Sequence, residues 1–319
     1  MIVASSMPAQ PVDVHPSRLV HNAEGHGCNV VGLLGNAEAN GFRVHHVRHG
    51  SGTTIVLPHG WPEFWYVYRK NIPVLAEHFD VITPDLRGFG DTEKPGLPDP
   101  PSDLLDVLVE DLRGLADVLE IERFGLVSHD VGSFVAQAFA REHPERLRGL
   151  FFFNCVYPGI GKRWLEPDSV KEIWYQSFNQ QPWAATLVGR DRRTCEIYIS
   201  HFLDHWAHKP GVFDEDLEAW VDNFMKPGNL QGSFNWYVGI DEARTELMRH
   251  GPPELPKIAV PTSFYWGEED PLIKIEWADR LGEYFSEYSF AAAPGAGHFV
   301  HYESPEQANR EIMRFFSAL

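Results

Sequence analysis

The stretch 124-FGLVSHDVGSFVAQAFAREHPERL-147 decides the fold. Its first four residues are apolar, which predicts a short buried strand. Ser128, His129, Asp130, Val131 and Gly132 then make a tight turn, and 133–143 has helical character that ends before Pro144. The product is a strand, a sharp turn and a helix, with the carboxylate of Asp130 at the apex. Ser128, two positions before Asp130, is small, and Gly132 stands two positions after it. Crowded backbones at such a turn require both.

Outward from this unit, apolar runs at 54–57, 79–83, 150–153, 262–266 and 288–293 read as buried strands. Segments at 63–75, 103–119 and 305–316 read as helices, and 42–48 as a β-type stretch turned by Gly50 and Gly52. Strands alternating with helices predict an α/β fold with a mostly parallel central sheet flanked by helices on both faces. From 157 to 253 the alternation stops. That segment is rich in Trp and Tyr and reads as a helical lid inserted over the carboxyl edge of the sheet. The division is therefore a loosely ordered extension at 1–38, with a strand near 30–34, a core at 39–156 and 254–319, and a lid at 157–253.

Composition narrows the partners. The formal charge of −18 disfavours nucleic acid and anionic membranes. Cys28, Cys155 and Cys195 are far apart, so no disulfide framework is expected, and Cys155 reads as core at a strand end. The first ten residues have neither a basic nor an apolar region of a signal peptide, and no apolar run reaches membrane-spanning length. These features point to a soluble cytoplasmic protein. A homodimer is left open.

Ligands of doubly wound folds sit at the carboxyl ends of strands. Four motifs fall there: HGWP at 59–62, Asp130, Asp270 in WGEEDP, and His298 in GAGH. An Asp in a Gly-bearing turn is ordinarily a turn former, and one histidine among 16 carries little weight. The chain order of nucleophile, acid and histidine, each after a strand, carries more. With DLRGFGD at 85–91 and SHDVG at 128–132, the chain resembles the aspartate-nucleophile branch of the α/β-hydrolases: epoxide hydrolases, haloalkane dehalogenases and haloacetate dehalogenases. The resemblance covers about residue 42 to the C-terminus.

That resemblance implies a triad of Asp130, His298 and Asp270, an oxyanion hole from the backbone N–H groups of Trp61 and Val131, and a Trp61–Pro62 bond able to be cis. A carboxylate is already charged at neutral pH and attacks an sp³ carbon without a base. Haloalkane dehalogenases often carry Trp after the nucleophile, where Val131 stands here. Haloacetate dehalogenases carry arginines there, whereas Val131 and Phe134 are apolar. Tyr175 in WYQSFNQ and Tyr237 in GSFNWYVG resemble the two lid tyrosines of epoxide hydrolases, whose hydroxyls donate to a leaving alkoxide. The chain is thus expected to add water to a small hydrophobic epoxide, without cofactor or metal. Trp61, Phe299 and Gln176 are expected on the pocket wall, and Trp183, Trp206 and Trp220 in the lid core. The pairs His45/His46 and His201/His205 lack a metal-site pattern, since Phe202 replaces the glutamate of HExxH. Two alternatives stand beside this: a dehalogenase using the same triad, and a non-catalytic ligand-binding relative.

Overall fold

All six residues of the strand Phe124–His129 are buried, as a strand covered on both faces must be. It is the fifth of eight strands in one sheet of the computed structural model, which describes residues 33–319. The strands are β1 (Leu33–Ala39), β2 (Phe42–Gly50), β3 (Thr54–Val56), β4 (Asp80–Pro84), β5 (Phe124–His129), β6 (Leu147–Phe153), β7 (Thr262–Gly267) and β8 (Tyr288–Ala293), in the spatial order β1-β2-β4-β3-β5-β6-β7-β8. The pairs β1–β2 and β2–β4 are antiparallel, and every other pair is parallel.

Two sequence expectations change here. The edge strand β1 begins at Leu33, so the proposed extension at 1–38 reaches into the sheet; residues 1–32 lie outside the described ones. The missed signal is Asn40-Gly41. Both residues have positive φ (48° and 81°), the backbone a two-residue hairpin needs. Nor is 63–75 one helix. It is a 3₁₀ turn at Trp65–Tyr68 followed by a single helical turn at Ile72–Leu75. Pro62 and Pro73 lack the N–H groups that a longer helix would use.

Between β6 and β7 the described chain contains helices and no strand. The C-terminal helix Pro305–Phe316 turns Ala308, Ile312 and Phe316 inward, one stripe at i, i+4 and i+8. Gly125 and Gly149 let it dock, since a Cβ on Gly125 would lie 2.2 Å from the Phe316 ring and one on Gly149 3.0 Å from that of Phe315. Burying a residue such as Ile312 or Phe316 stabilises by about 1.5–3 kcal/mol. Cys155 and Cys195 are buried free thiols. No helix among the described residues is long and apolar enough to cross a membrane.

Candidate active site

The turn after β5 holds Asp130 at φ 44° and ψ −112°, a strained backbone for a residue with a side chain. Neighbouring glycines make room for it. A Cβ on Gly60 would lie 2.6 Å from the Asp130 Cβ, and one on Gly132 2.5 Å from the Pro58 carbonyl oxygen. The Trp61 N–H donates to Asp130 Oδ1 at 3.0 Å. Val131 opens the helix Val131–Glu142, and the first four N–H groups of a helix have no intrahelical acceptor. The Trp61–Pro62 bond is cis.

His298 and Asp270 meet behind this turn. His298 Nδ1 lies 2.9 Å from Asp270 Oδ2, while His298 Nε2 is buried without a partner. Asp270 is held by the N–H groups of Leu272 (2.8 Å) and Ile273 (3.0 Å) and by the Asn154 amide (2.5 Å). Burial alone would lower the His298 pKa, but the charge and hydrogen bond of Asp270, with help from Asp130 and Glu63, raise it above the usual value.

Asp130, Tyr175, Gln176 and Tyr237 line one cavity of about 700 Å³. It is lined by residues of Val131–Glu142 and of the helices Trp174–Asn179, Asn229–Gly239 and Asp241–His250. The two tyrosine rings meet edge-on with centroids 5.5 Å apart. Gln176 donates to the Tyr175 hydroxyl at 3.3 Å. Burial, and then the charge of Asp130, push the Tyr175 pKa up. Burial does the same for Tyr237, followed by Tyr175 and Asp130. Both phenols are therefore protonated donors at neutral pH.

The family model described as alpha/beta hydrolase fold matches residues 53–305. The chain belongs to the α/β-hydrolase family. The soluble epoxide hydrolase of Corynebacterium sp. (strain C12) is 32% identical to this hydrolase over 295 residues, covering 89% of this chain and 96% of that protein. A fluoroacetate dehalogenase of Burkholderia sp. is 28% identical, covering 84% and 88%. The solved ligand-free epoxide hydrolase CorEH superposes with a TM-score of 0.77 at 30% identity, over 90% of this chain and 99% of that one.

Two residues expected on the pocket wall of this hydrolase lie elsewhere. Trp61 and Phe299 are buried and do not border the cavity. Trp61 instead backs the tyrosines, stacked on Tyr175 (5.1 Å, 7°) and edge-on to Tyr237 (5.5 Å). Such contacts contribute about 0.5–1.5 kcal/mol each beyond buried area. Phe299 packs on His298, Trp206 and Phe213. Phe134, Trp164, Gln176, Trp236 and Leu272 are among the residues of the cavity wall. Trp206 and Trp220 are buried, but Trp183 is 52% exposed, so it is not lid core. His205 pairs with Glu172 at 2.7 Å, and His45 with Asp85 at 2.8 Å.

Three supports in this hydrolase are not among the residues expected from the sequence. Asn154, at φ 38° after β6, links Asp270 to the Gly297 carbonyl and the Gly267 N–H. Glu303 accepts from the N–H groups of Gly297 and Phe299 on one oxygen and from those of His208 and Lys209 on the other. Glu63 Oε1 lies 2.9 Å from His129 Nδ1 and 3.4 Å from His301 Nε2, all three buried. Burial works against its charge, but His129 and His301 hold the Glu63 carboxyl well below its ordinary range. His129 in turn packs 4.4 Å from the His298 ring. Glu63 and His129 sit inside motifs already singled out, so position in HGWPE and SHD was the available signal.

Proposed function

We propose that this protein hydrolyses epoxides to vicinal diols through a covalent ester on Asp130. The observation that carries the proposal is one cavity bordered by a carboxylate at a strained elbow and by two protonated phenols. The relatives named epoxide hydrolases support the same class of reaction. Asp130 attacks an epoxide carbon, the C–O bond breaks, and Tyr175 or Tyr237 donates a proton to the departing oxygen. His298, oriented by Asp270, then takes a proton from water, and the hydroxide attacks the Asp130 carbonyl. The N–H groups of Trp61 and Val131 stabilise the oxyanion; the acyl C–O bond then breaks, the departing diol oxygen takes the proton held by His298, and the proton of the regenerated Asp130 carboxyl returns to the tyrosinate. Removing one such donor typically costs about 3–4 kcal/mol in catalysis. Residues 157–253 act as a lid that supplies the tyrosines.

Dehalogenation is the second reading, favoured by the likeness to the fluoroacetate dehalogenase. Incubation with styrene oxide, chloroacetate and 1-chlorobutane separates the two, with diol expected from the first and no halide from the others. Halide without diol would move the protein to the dehalogenases. In a single turnover in ¹⁸O water, the label is expected in the Asp130 carboxylate and not in the diol. Label in the diol on the first turnover would mean direct attack by water. Asp130→Asn is expected to form no ester.

A further inference from the structure

The cavity does not end at the tyrosines. Phe134, Gln137, Ala138 and Arg141 border it at i, i+3, i+4 and i+7 along one face of the helix Val131–Glu142. At 1.5 Å per residue, Arg141 lies roughly 16 Å along this helix from Asp130. The same cavity is lined by the apolar side chains of Trp164, Trp236, Leu272 and Ile273.

Arg141 is incompletely satisfied. Nη1 donates to the Gln137 carbonyl at 3.1 Å, but Nε and Nη2 are buried with no partner. Those two nitrogens form the edge of a guanidinium that grips a carboxylate side-on. This chain uses the same edge twice: Arg48 Nε and Nη2 bond both oxygens of Asp80 at 2.9 Å, and Arg87 bonds Asp111 likewise at 2.6 and 2.7 Å. Other charges at the cavity have partners. Arg244 pairs with Asp241, and Glu246 with Arg249 and His250. Among the described residues Arg141 forms no ion pair, and neither Glu246 nor Asp106, which also border the cavity, bonds it. Burial depresses its pKa, and the groups nearest to offset this are Cys155 and Tyr284, both uncharged at neutral pH. A half-buried cation whose paired N–H edge is left without a partner is costly, which favours an anion brought by the ligand.

We infer that the substrate is an amphipathic epoxide, with a carboxylate at the end of a medium-length apolar chain, whose acid group pairs side-on with Arg141 Nε and Nη2 while its epoxide reaches Asp130. This rests on the proposed chemistry at Asp130, but its test does not. Binding of dodecanoate, dodecanol and dodecyltrimethylammonium to the full chain, below their micelle concentrations, reads the head group without any reaction. Dodecanoate is expected to bind at least tenfold more tightly than dodecanol, and the cation least tightly. Arg141→Gln should bring the first two within twofold. Arg141→Lys, which keeps the charge but loses the paired edge, should keep a reduced preference. Equal binding of dodecanoate and dodecanol to the unaltered protein would overturn the inference, as would an undiminished preference in Arg141→Gln. Diol formation from styrene oxide reports separately. Its absence with the carboxylate preference intact would remove the catalytic proposal and leave the head-group site standing.

Discussion

His298 Nδ1 sits 2.9 Å from Asp270 Oδ2, and the far nitrogen of the same ring is buried without a partner. One face of the imidazole is fixed, and the other is free to take a proton. Asp270 cannot turn away, because two backbone N–H groups and the Asn154 amide hold it.

This pairing sets a pH dependence. The folded-state pKa of His298 is raised, by Asp270 first, against burial. A general base works only when neutral, so breakdown of the Asp130 ester is expected to speed up as pH rises, with a midpoint above about 6.5, the ordinary histidine value. In Asp270→Asn the raising charge is gone and burial dominates, so the midpoint should drop. The ester should also accumulate, with breakdown slower by about 10²–10⁴-fold. Stopped-flow single turnovers across pH measure both. An unchanged midpoint in the variant would detach Asp270 from the imidazole.

The phenols make a different forecast. Both tyrosine pKa values are raised, so the donors stay protonated past the usual tyrosine value of about 10. Each Phe substitution should slow alkylation of Asp130 by about 10²–10³-fold, the cost of one lost donor at a developing oxyanion. The double variant Tyr175→Phe, Tyr237→Phe should form no measurable ester while keeping its thermal midpoint. Near-normal ring opening in it would take both phenols out of the mechanism.

Why some of this was readable and some not follows from where each signal lies. β5 and β7 are buried throughout, and β6 is buried except at Arg148, so their apolar runs announce themselves. Asp130, Asp270 and His298 each follow a strand in the expected order, and Tyr175 and Tyr237 carry local motifs. Trp61 and Phe299 were misplaced because whether a buried ring borders a cavity or backs it depends on helices far away in sequence. The hydrogen bond from Asn154 to Asp270 spans 116 residues and leaves no local trace. β1 escaped because an edge strand needs no apolar run: its burial alternates only toward Ala37 and Ala39.

The elbow tolerates no extra atom at Gly60. A Cβ there would lie 2.6 Å from the Asp130 Cβ and 3.0 Å from both Asp130 Oδ1 and Glu63 Oε2. Gly60→Ala must push the carboxylate off the Trp61 N–H or open the turn. We expect a stability loss of about 1–3 kcal/mol, as for overpacked cores, and at least a tenfold fall in kcat/KM. Thermal unfolding and steady-state assays check the two. A fully active, equally stable Gly60→Ala protein would contradict the close approach of the two loops.

Acid stability turns on a histidine far from the cavity. His46 lies on β2, and its Nδ1 is buried without a partner. Burial chiefly, then the neighbouring His45, lower its pKa to about 4. The sign follows from which state binds the proton. Between about 6.5 and 4 the unfolded chain protonates this histidine and the folded chain does not, so stability falls as pH falls through that window. At 1.36 kcal/mol per pKa unit the loss approaches about 3 kcal/mol. His46→Gln removes the titration, so its urea-unfolding free energy should depend less steeply on pH between 6.5 and 4 than that of the unaltered protein. Gly35 bears on this, because a Cβ there would lie 2.6 Å from His46 Nε2. The ring is packed against the neighbouring strand and cannot swing to water to accept the proton cheaply. If the two proteins lost stability in parallel over that range, the acid sensitivity would have to come from other groups, with Glu63 and His301 the first to examine.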